Sequence, residues 1–139
     1  MVLAANWLTY DWRDVTVTIQ ALKALGIRRI VVVGPTPQWV GSLSQQLYYF
    51  VRRHPFEPIP IRMKTGLKAE PERIDKLMAK FCNDLKVEYI SPCAILENGD
   101  GVIIRFGDSA DSLIALDYGH LTVAGSEYLV SHFPKIETP

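Results

Sequence analysis

A chain of 139 residues is long enough to bury a substantial core in one domain without disulfides or metals, and we predict a single domain over residues 1–139. Fifteen basic residues balance fifteen acidic residues, and the arginines are dispersed along the chain, which argues against nucleic acid or an anionic membrane surface as the partner. The longest apolar run, residues 30–33, is far too short to cross a bilayer.

The first third of the sequence predicts a strand, a helix and a second strand. VLAANW predicts a strand over residues 2–5. RDVTVTIQALKALG has apolar residues at helical spacing, with Asp14 able to cap the start of the helix and Gly26 able to end it. RRIVVVGPTP is a continuous β-branched run, which is typical of a strand covered on both faces of a parallel sheet.

The rest of the chain continues this alternation. Ser42 or Ser44 can begin a helix through LSQQLYYFVRR, and the proline-rich residues 54–66 predict a connector or an edge strand. An apolar face behind an early proline predicts a third helix over about residues 70–85. VEYISP predicts a strand, NGDG predicts a turn into the strand VIIRF, and Thr122 can cap a last helix through VAGSEYLVSHF.

Strands that alternate with helices predict the α/β class, as a three-layer α/β/α sandwich around a mainly parallel sheet. In such sheets, ligands bind at the carboxyl ends of the strands. That rule selects Asn6, the turn at residues 34–37, and the loop that carries Asp117 and His120.

The loop before the last helix carries the residues best suited to catalysis. ALDYGHLT places Asp117 three residues before His120. A catalytic imidazole needs one nitrogen free for a nucleophile's proton and the other held by an acceptor, and a carboxylate three residues earlier on a tight loop can be that acceptor. In the alternative, Asp117 caps the loop through backbone amides and His120 is an ordinary, partly exposed side chain.

Several other residues are weaker candidates. Asn6 follows the first strand, where its amide can donate to an oxyanion or bond its own backbone. Trp7 can wall a sugar or acyl pocket, or it can cover the core. The three histidines and two cysteines have no spacing typical of a metal site. No metal or other cofactor is expected, and Cys82 and Cys93 are expected to be buried thiols.

A second motif, GDS at residues 107–109, has the composition of a hydrolase nucleophile. A serine nucleophile at a strand end must also open a helix, because helix amides help to bind the oxyanion. SADSLIAL is too short for that helix and a crossover to a neighbouring strand. We therefore interpret Asp108 and Ser109 as capping residues of a polar surface turn. A complete small esterase that uses Ser109 is the alternative.

Three segments, VLAANW, VVVGPTPQW and EYISPC with LDYGHLTVAGSEYL, resemble in this order the later part of an SGNH-hydrolase domain. More narrowly, they resemble the SGNH-like domain behind acyltransferase-3 membrane domains in bacterial polysaccharide O-acetyltransferases. The resemblance covers essentially the whole chain and is most specific at Asp117, His120, Leu121, Thr122 and Gly125. It implies an SGNH/flavodoxin-like sandwich that here lacks its first strand and nucleophile loop, so that only the carboxyl-terminal portion is present.

The resemblance also implies roles and partners. Asp117 and His120 would complete a Ser-His-Asp triad, and Asn6 corresponds to the oxyanion-hole asparagine. The family's nucleophilic serine precedes anything that matches VLAANW, so it is expected upstream of this chain, and the chain alone is expected to be nearly inactive. The implied partners are an acyl donor, a polysaccharide or sugar acceptor, and a membrane acyltransferase domain in a longer parent protein.

The resemblance implies that the parent protein acts at the periplasmic side of the inner membrane. A chain that is complete as written, with no export signal at residues 1–5, is instead expected in the cytoplasm. Relatives often carry a second cysteine where this chain has Val102, so Cys93 lacks that partner. Beside the acyltransferase or esterase and the Ser109 esterase, the third hypothesis is a non-catalytic, carbohydrate-binding remnant.

Overall fold

The computed structural model describes residues 1–107, 109 and 112–134. The chain divides into two compact units, residues 1–36 with 69–93 and residues 37–68 with the chain from residue 94 onward. No helix within the described ranges is long and apolar enough to cross a membrane. In chain order the elements are β1 (Val2–Ala4), α1 (Val15–Ala24), β2 (Val31–Val33), α2 (Leu43–Arg53), β3 (Arg62–Met63), α3 (Ala69–Asp84), β4 (Glu88–Ile90), α4 (Pro92–Leu96), β5 (Glu97–Asn98), β6 (Gly101–Ile103) and α5 (Val123–Ser131).

The first unit is built on a parallel sheet of three strands in the order β1-β2-β4. Val2 pairs with Val31, and Val31 pairs with Glu88. Val31 and Val32 are fully buried because β2 is the central strand, which explains its unbroken β-branched sequence. The predicted α/β class and its parallel sheet are thus confirmed, with β1 ending one residue earlier than the sequence predicted.

Helices α1 and α3 supply the apolar core of this unit. Their buried faces meet the sheet in a cluster formed by Trp7, Val15, Ile19, Ile30, Val32, Ile74, Met78 and Cys82. The predicted bounds of both helices hold to within a residue or two at each end, but the expected cap of α1 was wrong. Asp14 makes no side-chain capping bond, and Asp11 instead accepts from the amide of Arg13 at the start of a turn of 3₁₀ helix that leads into α1.

A buried carboxylate lies where β2 and β4 end. Asp75 of α3 is only 7% exposed, and it accepts hydrogen bonds from the Tyr89 hydroxyl at 2.8 Å and the Ser91 hydroxyl at 2.7 Å. Burial and the adjacent carboxylate raise the pKa of Tyr89, so its hydroxyl stays a donor. A Cβ added to Gly34 would overlap that hydroxyl and lie 2.8 Å from Asp75 Oδ1, so only glycine lets the backbone approach this closely.

Both cysteines are free and buried, as expected. Burial raises the pKa of Cys82 to about 11. The Cys93 thiol donates to the carbonyl of Pro35 at 3.3 Å. These thiols are inert packing groups in this structure, and Val102 is likewise buried, as a core residue of the second unit.

The second unit contains an antiparallel sheet that the sequence did not predict. Its strands lie in the order β3-β6-β5, with Arg62 opposite Ile103 and Glu97 opposite Val102. The proline-rich segment supplies β3 at the edge of this sheet, as expected, since an edge strand tolerates missing amide donors. The NGDG turn joins β5 to β6.

The core of the second unit is separate from that of the first. It is formed by Trp39, Leu43, Leu47, Met63, Leu96, Val102, Ile103, Ile104, Ile114, Ala115 and Leu129. Of the two serines predicted to begin α2, Ser42 is the cap, because its side chain accepts from the amide of Gln45 at 3.1 Å. Thr122 caps α5 as predicted, with Gly125 as the donor at 2.9 Å.

We expect Gly34→Ala to lower the free energy of unfolding by about 1–3 kcal/mol, because the new methyl group must displace the Tyr89 hydroxyl from Asp75. Urea denaturation followed by tryptophan fluorescence measures this change. Gly99→Ala is the matched control, because a Cβ at Gly99 meets nothing within 4 Å, and its effect should stay within about 0.5 kcal/mol. Equal effects of the two substitutions would contradict the packing argument.

Candidate active site

The loop before α5 is tied by its backbone to the start of α2. The carbonyl of Asp117 accepts from the amide of Leu43 at 3.1 Å, and the carbonyl of Tyr118 accepts from the amide of Trp39 at 2.7 Å. Leu43 and Trp39 are both fully buried. Because these donors belong to the core, the loop is held in one position rather than left to sample many.

The other end of the loop is fixed by the start of α5. The Thr122 hydroxyl donates to the carbonyl of Leu113 at 2.7 Å while it caps the helix. A Cβ added to Gly125 would overlap the carbonyl oxygen of Ile114, so a larger residue would push the helix away. The residues that follow His120 therefore hold the histidine in place from the carboxyl side.

Asp117 uses both carboxylate oxygens within this loop. Oδ1 accepts from the amides of Gly119 at 2.9 Å and His120 at 2.8 Å. Oδ2 lies 2.6 Å from Nδ1 of the His120 ring. The sequence left open whether Asp117 caps the loop or contacts the imidazole, and in the structure it does both. The two amide bonds fix Oδ1, which in turn sets the direction of Oδ2.

These contacts hold Asp117 in its charged form. The amide of Gly119, the His120 ring and the amide of His120 together lower the pKa of Asp117 from 3.8 to about 2. Because the carboxylate carries no proton at neutral pH, the hydrogen in the contact with the imidazole belongs to Nδ1. In a neutral imidazole the lone pair is then on Nε2.

Nε2 faces outward from this arrangement. The His120 side chain is 75% exposed and that of Asp117 is 43% exposed, and no described residue hydrogen-bonds Nε2. The edge of the Tyr118 ring packs against the imidazole with the centroids 5.3 Å apart, and Lys68 Nζ lies 5.0 Å from the centroid of that same Tyr118 ring. The arrangement can orient an imidazole and offer Nε2 as a base to an approaching hydroxyl.

The sequence identified Asp117 and His120 but not the residues that support them. Tyr118 lies between the two, and the motif itself shows it as an aromatic residue two positions before the histidine. Lys68, Trp39 and Leu43 are at least 49 positions away from Asp117 in the sequence, and no local pattern indicates that they contact this loop.

Asn6 and Trp7 belong to the first unit, whereas Asp117 and His120 belong to the second. Asn6 is exposed, and its backbone carbonyl accepts from the amides of Thr9 and Tyr10. Trp7 is largely buried, and its Nε1 donates to the carbonyl of Val33 at 2.7 Å. It packs in the core and also lines a cavity of about 330 Å³ beside β1 and the start of α1.

Ser109 is exposed and lies in a turn of the second unit. The turn is closed by Arg105 and Leu113, which pair in an antiparallel bridge, and the Ser109 carbonyl accepts from the amide of Ser112. Asp108, predicted to share the turn, lies outside the described residues. The strand β6 ends at Ile103, six residues before Ser109, whereas a serine nucleophile stands directly at the end of a strand. The described residues also contain no group of three or more His, Cys, Asp or Glu side chains that could hold a metal ion.

The depressed pKa of Asp117 gives the loop a defined response to acid. The folded-state pKa of about 2 lies below the unfolded value of 3.8, so the unfolded chain binds more protons between these values. The stabilisation is therefore complete above about pH 4 and is lost as the pH falls through about 2. In wild type, we expect the free energy of unfolding to fall more steeply across this window than in Asp117→Asn, as measured by urea denaturation at a series of pH values.

Asp84→Asn, which removes an exposed carboxylate at the end of α3, is the control and should follow the wild-type curve. A pH dependence that is the same in Asp117→Asn and wild type would show that the hydrogen bonds to this carboxylate do not form.

Comparison with solved structures finds one relevant neighbour, the periplasmic domain of a lipopolysaccharide acetyltransferase from Salmonella ser. Paratyphi A. The TM-score is 0.80 with 27% sequence identity, over 94% of this chain and 53% of that domain. This chain thus spans about half the length of the structure it matches. No protein-family model matches the chain, and no curated protein matches it. This similarity supports the resemblance drawn from the sequence as far as a periplasmic acetyltransferase domain.

Proposed function

We propose that this chain is part of an O-acyltransferase that modifies a cell-surface polysaccharide, in which Asp117 orients His120 and His120 is the general base. The observation that carries the proposal is the 2.6 Å contact between Asp117 Oδ2 and His120 Nδ1 on an anchored loop. The similarity to a lipopolysaccharide acetyltransferase domain supports the reaction class. Under this proposal the partners are an acyl donor and a sugar or polysaccharide acceptor.

The first half of the reaction forms an acyl-serine. Serine Oγ attacks the carbonyl carbon of the donor while His120 Nε2 takes the serine proton, and Asp117 stabilises the imidazolium that results. The tetrahedral intermediate then collapses as the donor's leaving group departs with the proton from His120. Asn6 would donate to the oxyanion of this intermediate, a role that rests on the resemblance alone.

The second half transfers the acyl group. A hydroxyl of the acceptor sugar gives its proton to His120 Nε2 and attacks the acyl-serine, and the serine leaves with that proton. This step breaks the ester bond to serine and forms an ester bond to the sugar, so its atoms and electrons balance without an oxidant or a metal. Water in place of the sugar would make the same site an esterase. We also propose that Trp7, which lines the first-unit cavity, lines a substrate pocket.

The nucleophile that we propose is a serine outside residues 1–139. Its support is the resemblance to SGNH domains and the antiparallel bridge between Arg105 and Leu113, which lie on either side of Ser109 in the sequence. The proposal also includes the finer features of the resemblance. These are one SGNH-like domain in a three-layer sandwich, an acyltransferase-3 membrane domain in the same protein, and a parent protein at the periplasmic side of the inner membrane.

We expect His120→Ala to lower polysaccharide acetylation by about a thousandfold or more and Asp117→Asn to lower it by a similar factor, because a misoriented imidazole loses most of the base function. The gene product that contains this chain is expressed in bacteria that lack it, and the acetyl content of the surface polysaccharide is measured by NMR. His132→Ala is the matched control. That histidine is exposed in the same unit, and its hydrogen bonds to described residues are all with the end of α5, so acetylation should be unchanged.

A fluorophosphonate probe separates the proposal from its rivals. Labelling of a serine outside residues 1–139 that disappears in His120→Ala supports the proposal. Labelling of Ser109 that disappears in His120→Ala would replace it with a complete small esterase. Acetylation that survives both His120→Ala and Asp117→Asn, with sugar binding unaffected, would instead favour a non-catalytic binding module.

A further inference from the structure

The end of α2 and the turn that follows it form a protruding tip, residues 51–58, in which every residue is exposed. Phe56 lies at this tip and is 98% exposed, so its ring contacts almost nothing in the chain. Scattered exposed apolar residues are normal, but other exposed apolar and aromatic residues lie close to Phe56 in the sequence. Val51, Tyr48 and Tyr49 on α2 are also exposed.

The tip keeps its shape without the Phe56 ring. The amide of His54 donates to the carbonyl of Phe50 at 2.9 Å, and the His54 ring stacks on the Phe50 ring with the centroids 4.8 Å apart. The amide of Glu57 donates to the carbonyl of His54 at 3.1 Å. Prolines flank Phe56 on both sides and restrict the backbone. The exposed ring is therefore presented by a structured turn.

Two arginines and one carboxylate lie close to Phe56 in the sequence, so basic residues outnumber acidic ones over residues 43–58. Arg52 and Arg53 end α2, and no Asp or Glu occurs in residues 43–53. The nearest carboxylate in sequence, Glu57, lies 3.1 Å from Nδ1 of His54. The Arg52 guanidinium lies 5.7 Å from the centroid of the Tyr48 ring. Although the whole chain has no net charge, electrostatic interactions at physiological salt extend over only about 8 Å, so the local charges decide what this surface attracts.

We propose that this tip binds the surface of an anionic lipid bilayer. Phe56 enters the boundary between headgroups and acyl chains, Tyr48 and Tyr49 lie among the headgroups, and Arg52 and Arg53 contact lipid phosphates. This combination of an apolar point, amphipathic aromatic rings and flanking arginines fits a bilayer. A polysaccharide site would need several hydrogen-bonding side chains around the aromatic ring, and a protein pocket would need a complementary concavity for a single projecting ring. The proposal is independent of the acyltransferase mechanism.

Flotation of the purified chain with vesicles of phosphatidylcholine, with or without phosphatidylglycerol, tests this directly. We expect the wild type to bind the anionic vesicles and to be released by salt. Phe56→Ser should lower the partition coefficient by about tenfold, since the ring no longer leaves water. Arg52→Ser combined with Arg53→Ser should weaken binding and flatten its salt dependence. Phe56→Trp should keep binding, because tryptophan is favoured at the interface.

The matched control is Val17→Ser, which removes an exposed apolar residue of the first unit and should leave partitioning unchanged. Circular dichroism checks that each variant is folded. Partitioning that does not depend on phosphatidylglycerol, or that is the same in wild type and Phe56→Ser, would overturn the proposal. Binding of the wild-type tip to isolated polysaccharide but not to vesicles would also overturn it and assign the surface to a sugar ligand.

Discussion

The contact between Asp117 and His120 depends on a loop whose backbone is anchored by hydrogen bonds at both ends. On a free loop, a carboxylate three residues before an imidazole would sample many rotamers, and an exposed pair of this kind adds little to stability. Here two amides fix Oδ1, and Oδ2 can then point only toward Nδ1. The loop is held in turn by buried residues at the start of α2 and by the cap of α5. The contact therefore serves to position the imidazole and adds little to the stability of the fold.

The same logic explains the short sequence around the histidine. Thr122 is needed because one hydroxyl both caps α5 and bonds the backbone of residue 113. Gly125 is needed because α5 approaches the carbonyl of Ile114 too closely for a side chain. The motif HLTVAG thus encodes a rigid attachment for His120 as well as the imidazole itself. In the first unit, Gly34 beside the buried Asp75 is a second case of backbone packed so closely that only glycine fits.

Features with a local signal were predictable from the sequence. The β-branched run of β2, the caps at Ser42 and Thr122, and the pairing of Asp117 with His120 all depend on residues within a few positions of one another. The antiparallel sheet was missed because its strands have two or three residues each, too few for a period of two to show. The partners of Asp75 and the residues that anchor the loop of Asp117 and His120 were missed because they are distant in sequence. Asp14 was misjudged because a turn of 3₁₀ helix precedes α1, and the capping carboxylate is that of Asp11 at the start of this turn.

The central claim is that Asp117 fixes the imidazole so that Nε2 is the base. The most direct measurement is the ¹⁵N chemical shift of both His120 ring nitrogens, by long-range ¹H–¹⁵N correlation at a pH where the ring is neutral. The account predicts that Nδ1 carries the hydrogen and that Nε2 has the shift of a nitrogen with a free lone pair. A hydrogen on Nε2, with the lone pair on Nδ1, would contradict it.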